Sequence, residues 1–244
     1  MYAERPNPLI EAITRLRFDF RTTIVRFENR STPEEAAVPE THPRIAPLEP
    51  PYAEATGEML RRWMPPGADR EPLELFRTLA VHDELFSRMR PLGAGILGRG
   101  RVAPLLREIV IHRTSALTGA EYEWGVHAVS FGTPLGLTDA QLASTVHGSA
   151  DDGNWSPTQA SVFRLADELH ATSQLSRELF EELSRHFADD QILELTITAG
   201  WYHTIAYVIG AAGVRPEPWA ATFPPAPAPA PAPAPTPVAV QAAP

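Results

Sequence analysis

The central part of the chain carries its apolar residues at the spacing of α-helices. Between about residues 51 and 215 hydrophobic positions recur every three to four residues, which places them on one face of a helix. The β-branched run at residues 109–111 lies inside this pattern and does not alternate with polar residues as a half-buried strand would. These positions predict an all-α domain whose helices bury their apolar faces against each other.

Local signals mark where the helices begin and end. Three capping-box patterns, in which a hydroxyl residue is followed three positions later by Glu or Gln, are formed by Thr118 with Glu121, Thr138 with Gln141, and Ser156 with Gln159. Gly119, Pro134 and Pro216 mark helix ends. The predicted helices lie near residues 52–63, 72–90, 103–118, 119–131, 138–149, 156–171, 176–187 and 189–213. The pattern therefore predicts a bundle of about seven or eight helices.

Two irregular zones flank the predicted bundle. Residues 1–45 combine a short amphipathic pattern, a β-branched stretch and the start of a proline-rich run, and they are interpreted as an N-terminal arm or linker. From Pro224 the chain repeats Ala-Pro, which favours extended polyproline II backbone and cannot form a core. We assign residues 46–218 to the helical domain and 219–244 to a disordered tail. The tail is interpreted as a spacer or, alternatively, as a docking motif for a proline-binding partner.

The composition excludes several classes of function. The formal net charge is −9 and no run of Lys or Arg occurs, so neither nucleic acid nor an anionic membrane is expected as a partner. The absence of cysteine excludes disulfides, thiolate metal ligands and thiol catalysis. No apolar stretch is long enough to span a membrane, and the first residues do not have the pattern of a secretory signal. We expect a cytoplasmic protein.

A carboxylate and an imidazole share one helix face near the middle of the chain. Glu123 and His127 are four residues apart in a predicted helix, so their side chains can contact each other. Glu108 lies midway along the preceding helix, which must fold back beside the second one because the connection is short. A carboxylate beside an imidazole fixes its tautomer and raises its basicity, so the pair can relay a proton.

The segment from Arg107 to His127 reads REIVIHRTSALTGAEYEWGVH. It resembles the carboxymuconolactone decarboxylase and alkylhydroperoxidase D (AhpD) family, whose decarboxylases carry a similar Glu-Tyr-Glu followed by a His. The resemblance covers roughly residues 45–215. It implies the AhpD-like helical bundle as the fold. It also implies a homo-oligomer, whether dimer, trimer or hexamer, which the apolar closing helix independently favours.

The peroxidase branch of that family places Glu, then Cys-x-x-Cys, then His in this region. Matched position by position, its Glu corresponds to Glu108 and its His to His127, while its cysteines correspond to Ala120 and Glu123. Dithiol chemistry needs one sulfur to attack the peroxide and another to resolve the product. Because both thiols are missing, we do not expect peroxidase activity of this kind.

The decarboxylase branch needs no thiol. The resemblance therefore implies a lyase, specifically a carboxy-lyase, that acts on a small carboxylated or lactone-like substrate without a cofactor. Loss of carbon dioxide leaves charge on a carbon conjugated with the lactone carbonyl, and the enzyme must stabilise that charge and deliver a proton. In this interpretation His127 is the acid/base, Glu123 is its partner, and Glu108 is a second carboxylate that tunes the pair.

Further residues are candidates for binding the substrate. Arg113 or Arg107 would hold a substrate carboxylate through two parallel hydrogen bonds. Tyr122 lies within the matching segment. His203 lies in an otherwise apolar closing helix, where a polar group must be paired or line a cavity.

Two alternatives remain beside the decarboxylase interpretation. One carboxylate with two imidazoles, here Glu123, His127 and His203, is a known metal-ligand set, but no local zinc motif is present and we expect no metal. In the second alternative, the chain is a non-catalytic member of the family that binds a small molecule or serves as an assembly subunit. A buried Glu123–His127 contact facing a closed apolar pocket would favour the enzyme, whereas side chains in solvent or in a solid core would favour the alternative.

Overall fold

The computed structural model describes residues 42–65 and 67–226. The predicted N-terminal arm up to residue 41 and the Ala-Pro repeat from residue 227 lie outside the described residues. The described part contains nine α-helices and no strand: α1 Glu54–Trp63, α2 Glu74–Leu79, α3 Asp83–Arg99, α4 Pro104–Leu117, α5 Glu121–His127, α6 Asp139–His147, α7 Pro157–Thr172, α8 Arg177–Leu183 and α9 Asp189–Ala212. The predicted all-α fold is confirmed.

Helix α4 lies at the centre of the bundle. It packs against α5, α6, α7 and α9. Its Ile109 and Val110 are fully buried together with Phe163 and Leu165 of α7 and Leu195 of α9. Each such side chain contributes about 1.5–3 kcal/mol through burial. This packing explains why the β-branched run in α4 is helical, because tertiary burial outweighs a small difference in local propensity.

The predicted helix at residues 72–90 differs most from the structure. It is divided by a short 3-10 turn, Ala80–His82, after which the His82 side chain accepts a hydrogen bond from the backbone of Leu85 and caps α3. The helix then continues through Pro91 to Arg99. The prediction ended at residue 90 because proline removes a backbone donor. Buried Phe86 and Ile96, on either side of the proline, keep both halves of α3 against the core.

Two of the three predicted capping boxes are confirmed and one is wrong. Thr138 and Ser156 cap α6 and α7 with the reciprocal Gln contacts. Thr118 instead ends α4, where its hydroxyl donates to the carbonyls of Thr114 and Ser115. Helix α5 begins after Ala120 without a side-chain cap. With only three residues between the helices, Thr118 satisfies the end of α4 and cannot also begin α5.

The chain after α9 packs back onto α5. The amide of Ala221 donates to the carbonyl of Gly125 at 3.3 Å, and the Phe223 ring lies edge-on to Trp124 with ring centres 5.5 Å apart. A Cβ atom on Gly125 would lie 1.8 Å from the Ala221 carbonyl oxygen, so only glycine allows this approach. The predicted tail, placed from residue 219, therefore includes residues up to 223 that belong to the packed domain, because their aromatic side chains find apolar partners.

None of the helices within the described ranges has the length and apolar character required to cross a membrane.

Candidate functional site

Glu108 and His127 meet at the interface between α4 and α5. The short connection at Thr118–Ala120 reverses the chain through Gly119, whose φ of 68° is in the left-handed region that favours glycine. The two helices consequently pack side by side. His127 in the last turn of α5 reaches Glu108 in the second turn of α4, with 2.8 Å between His127 Nδ1 and Glu108 Oε2. Both side chains are buried.

The other imidazole nitrogen of His127 faces two further groups. Its Nε2 lies 3.4 Å from Glu123 Oε1, one turn earlier on α5, and 3.2 Å from the Tyr202 hydroxyl on α9. The Phe131 ring lies beside the imidazole with ring centres 4.9 Å apart. Phe131 is placed there by a π-helical turn, Ala128–Gly132, that continues α5. Turns of this kind occur frequently at functional sites.

The electrostatics of the site favour a buried ion pair. Burial alone would lower the pKa of His127, but the charge and hydrogen bond of Glu108, followed by those of Glu123, outweigh it and raise the pKa to about 9. Burial would conversely raise the pKa of Glu108, yet His127, with contributions from His112 and Arg107, holds it below its ordinary value. At neutral pH the pair is therefore an imidazolium beside a carboxylate.

The protonation state fixes the direction of the hydrogen bonds. An imidazolium carries a proton on both nitrogens, so Nδ1–H donates to Glu108 and Nε2–H points toward Glu123 and Tyr202. Burial, followed by the charges of Glu123 and Glu108, raises the pKa of Tyr202 well above its usual value, so its hydroxyl stays protonated. The proton on His127 Nε2 is consequently the one that Glu108 does not hold.

A second buried histidine lies beside the pair. His112 is one helical turn after Glu108 and its Nδ1–H donates to the Glu108 carbonyl at 2.7 Å. Complete burial is the main reason that its pKa falls to about 4, so this imidazole is neutral at pH 7. Its Nε2 lies against Gly132, where an added Cβ would come within 3.0 Å. Gly132 thus provides space for a neutral His112 next to the charged pair.

Arg107 adds a buried cation to the same region. Its guanidinium donates to the Ile96 carbonyl at 3.2 Å, and its Nε lies 3.7 Å from Glu108 Oε1. Arg107 Nε, Glu108 Oε1 and His112 Nε2 are all buried and have no hydrogen-bond partner among the described residues. Buried polar atoms of this kind are rare because each costs free energy. Their grouping along one helix points to a polar function for this part of α4.

The structure brings together the three residues predicted as catalytic, but the carboxylate nearest to His127 is not the one expected. Glu108 was expected to tune a Glu123–His127 pair, whereas it is the nearer carboxylate, at 2.8 Å against 3.4 Å for Glu123. The reason is geometric. The i,i+4 pair on α5 lies along one helix, while Glu108 projects from the adjacent helix directly toward the Nδ1 edge of the ring.

The three residues predicted to bind substrate have other partners. Arg113 binds Asp167 at 2.6 Å and lies over the Phe163 ring, so it joins α4 to α7. The Tyr122 hydroxyl donates to Glu217 at 2.8 Å and accepts from the Leu75 amide. Tyr122 therefore joins α5 to α2 and to the segment after α9.

His203, the third of these residues, lies on a cavity of about 650 Å³ that does not include His127. Its Nε2 lies 3.0 Å from His170 Nδ1. His203 is thus both paired and at the edge of a cavity, and His127 does not line that cavity.

Sequence reasoning missed three residues, two beside His127 and one beside His203. His112 was given no role, although its spacing of four residues from Glu108 places both on one face of α4. His170 was also given none, and its contact with His203 spans 33 positions with no local signal. Tyr202 is given no role by the sequence pattern, although it is a polar group on the buried side of α9.

No group of three or more His, Asp or Glu side chains suited to a metal ion occurs in the part of the chain that the structure describes. The Glu123, His127 and His203 set considered from the sequence is not brought together. His203 Nε2 contacts His170 on α7, whereas Nε2 of His127 faces Glu123 and Tyr202.

Comparison with solved structures identifies the architecture. An uncharacterized peroxidase-related protein from Silicibacter sp. TM1040 matches with a TM-score of 0.64 and 15% identity over 75% of this chain and 96% of that chain. The debrominase Bmp8 matches with a TM-score of 0.60 and 14% identity over 72% of this chain and 92% of that chain. A protein of unknown function from Agrobacterium tumefaciens that carries the designation AhpD matches with a TM-score of 0.53 and 16% identity. The match covers 57% of this chain and 95% of that chain.

This chain has the AhpD-like fold. The agreement confirms the fold that the segment 107–127 implied. No family model matches the sequence, and no curated protein matches it. The TM-scores of 0.53–0.64 establish a common AhpD-like architecture. Because the identities are only 14–16%, the chemistry has to be argued from the residues of this chain.

Proposed function

We propose that this protein is a thiol-independent enzyme that uses the His127 imidazolium as a proton donor to a small carboxylated or lactone-like molecule. The observation that carries the proposal is the buried pair of Glu108 Oε2 and His127 Nδ1 at 2.8 Å, with Nε2–H left facing Glu123 and Tyr202. A titratable pair with a strongly shifted pKa in a buried setting is typical of acid–base sites.

Decarboxylation is the reaction that best uses this arrangement. When a carboxylate leaves as carbon dioxide, its bonding electrons pass to the adjacent carbon and into the conjugated carbonyl. His127 Nε2–H would donate its proton to that carbon and become a neutral imidazole, which Glu108 would keep oriented through Nδ1–H. The imidazole would then take up a proton from solvent before the next turnover. Related proton transfers on the same class of substrate require the same donor. The proposed class is therefore a lyase of the carboxy-lyase type.

Arg107 is the proposed anchor for the substrate carboxylate. It is buried next to Glu108, and its Nε has no hydrogen-bond partner among the described residues. A guanidinium pairs with a carboxylate through parallel hydrogen bonds. Arg113, the other candidate, already binds Asp167 and the Thr145 carbonyl. The role expected of Arg113 therefore passes to Arg107.

Substrate would approach the Nε2 side of His127. Glu123 is 9% exposed at its side chain, and Phe131 is half-buried, so these two residues lie between the imidazole and solvent. Movement of the Phe131 ring would open a path to Nε2 without disturbing the Glu108 contact. One Bmp8 structure holds 2,3,4-tribromopyrrole in a cysteine-to-alanine variant, which supports a small ring-shaped ligand for this fold.

The decisive experiment begins with a screen of small lactone acids and unsaturated carboxylic acids for thermal stabilisation of the protein. Compounds that bind are then tested for carbon dioxide release by the wild type and by His127→Gln. Glutamine keeps a donor for Glu108 but cannot act as an acid, so we expect turnover to fall at least about 100-fold.

The exposed His186 provides the matched control, and His186→Gln should keep full activity. Circular dichroism checks that each variant is folded. Normal turnover by folded His127→Gln would show that the proton donor has been assigned wrongly.

A second candidate function is a non-catalytic small-molecule-binding or assembly protein. Two observations favour it. The side chains of Glu123 and His127 are buried and do not line the 650 Å³ cavity, and α9 exposes Leu193, Ile197 and Tyr207 on one face. A homo-oligomer would bury that face. Tight ligand binding without product formation, together with a dimer, trimer or hexamer in analytical ultracentrifugation, would favour this alternative.

A further inference from the structure

We propose that His170 and His203 form a binding site for a divalent transition-metal ion at the edge of the 650 Å³ cavity. The cavity lies between the C-terminal ends of α4 and α7 and the middle of α9. Thr118 and Ser173 line it at the two helix ends, and Tyr207 lines it on α9. Glu108, Glu123, His127 and Tyr202 are not among its lining residues, so the inference does not depend on the proposed reaction.

The tautomer of His203 leaves a nitrogen lone pair directed at His170. His203 Nδ1–H donates to the Ala199 carbonyl at 3.1 Å, one turn earlier on α9. Its Nε2 is therefore unprotonated in the neutral ring. Metal-binding histidines commonly hold their second nitrogen in this way, through a hydrogen bond to a backbone carbonyl.

The separation of the two ring nitrogens suits a shared ion. His203 Nε2 and His170 Nδ1 are 3.0 Å apart. With metal–nitrogen bonds of about 2.0–2.1 Å, this separation corresponds to an N–metal–N angle of about 91–97°. Such an angle matches square-planar and octahedral coordination, and a small widening gives the tetrahedral angle of Zn²⁺. In the absence of metal, a single proton on His170 Nδ1 satisfies the same contact.

The charges around the pair suit a bound cation, although Arg113 lies near His170. Arg113 does not repel a cation strongly, because Asp167 binds it at 2.6 Å. The carbonyl ends of α4 and α7 also carry partial negative charge, which is favourable for a cation.

Two protein ligands leave the remaining coordination positions open. Imidazole nitrogen favours Zn²⁺, Ni²⁺, Co²⁺ and Cu²⁺ over Mg²⁺ and Ca²⁺, which prefer oxygen ligands. Water would occupy the open positions, or a small anionic ligand that enters the cavity. Thr118, Ser173 and Tyr207, each of which carries a hydroxyl group, line the same cavity.

Isothermal titration calorimetry of the full chain without an affinity tag tests the site. Protein freed of metal with a chelator is titrated with Ni²⁺ and separately with Zn²⁺ at pH 7.5. We expect one ion bound per chain, with affinity lowered at least about tenfold in His203→Ala and in His170→Ala. The exposed His186→Ala is the matched control and should bind as the wild type does.

The Cu²⁺ form provides a second readout, because nitrogen hyperfine splitting in its electron paramagnetic resonance spectrum counts the imidazole ligands. Two nitrogens in the wild type and one in His170→Ala would support the site. Because His170 is exposed, its substitution leaves the core intact and the variant stays interpretable. Failure of the wild type to bind either ion, or undiminished binding by His170→Ala, would overturn the proposal.

Discussion

His127 contacts two carboxylates with its two nitrogens, and the contact with Glu108 is the shorter one. His127 Nδ1 lies 2.8 Å from Glu108 Oε2, while Nε2 lies 3.4 Å from Glu123 Oε1. Glu108 is completely buried, and Glu123 keeps a small exposed fraction. The Glu108 contact therefore contributes more than Glu123 to the charge of the imidazole, and the Glu123 side is the less enclosed one. This difference leads to predictions that separate the two carboxylates.

Glu108→Gln should lower the pKa of His127 from about 9 more than Glu123→Gln does, since the charge and hydrogen bond of Glu108 contribute more to raising it. Loss of a neighbouring opposite charge lowers a histidine pKa by about 1–3 pH units. Nitrogen-15 NMR titration of the His127 ring measures both variants. In an active enzyme, Glu108→Gln should also move the alkaline limit of kcat/KM to lower pH. A larger effect of Glu123→Gln would contradict the assignment.

His127→Ala should destabilise the protein by about 3–5 kcal/mol, because it leaves the Glu108 carboxylate buried without its main partner. Urea denaturation at pH 7 measures the free energy of unfolding. The double variant Glu108→Leu with His127→Phe should recover most of the loss, because it removes both charges and fills the space. If the double variant is as unstable as His127→Ala, packing and not the unpaired charge is the cause.

The free energy of unfolding should pass through a maximum near a pH of about 6.5. The pKa of His127 rises from 6.5 to about 9 on folding, so its contribution is complete below 6.5 and is lost as the pH rises toward 9. The pKa of His112 falls from 6.5 to about 4, so the unfolded chain takes up the proton first, and stability declines as the pH falls through that window. The lowered pKa of Glu108 extends the decline below 4.5.

Urea denaturation between pH 4 and 9.5 at constant ionic strength tests this dependence, with His112→Asn as the diagnostic variant. The variant should reduce the slope between pH 4 and 6.5 and leave the slope above 6.5 unchanged, because His127 alone accounts for the alkaline side. An unchanged acidic slope in His112→Asn would show that another group takes up the proton.

The Glu108–His127 contact was predictable because it depends on local features. A three-residue connection forces α4 and α5 to lie side by side, and the helical register then brings the middle of one against the end of the other. Which carboxylate lies closer was not predictable. That order depends on side-chain direction across two helices, a difference of 0.6 Å between 3.4 and 2.8 Å that no sequence spacing specifies.

The contacts that sequence reasoning missed join distant parts of the chain. Tyr202 reaches His127 across 75 positions, and its partner depends on the angle at which α9 crosses the bundle. The tail was likewise judged by its Ala-Pro repeat, although Trp219 and Phe223 precede that repeat and carry the apolar surface that packs. The Thr118 capping box failed for a related reason, since a motif at the junction of two helices can satisfy either of them.

Gly125→Ala should displace the segment after α9 from α5. The new methyl group would lie 1.8 Å from the Ala221 carbonyl oxygen and 2.9 Å from its carbonyl carbon. Because these are backbone atoms, the clash is relieved only if the whole segment shifts. We expect a loss of about 1–3 kcal/mol in the free energy of unfolding, as for other overpacked sites. Faster hydrogen exchange at residues 219–223 and altered Trp124 fluorescence should accompany it, because Phe223 would leave the Trp124 ring.

The control is Gly95→Ala in α3, where nothing lies within 4 Å of the added Cβ and a slight gain in stability is expected. Unchanged exchange at residues 219–223 in Gly125→Ala would mean that the segment does not depend on the glycine.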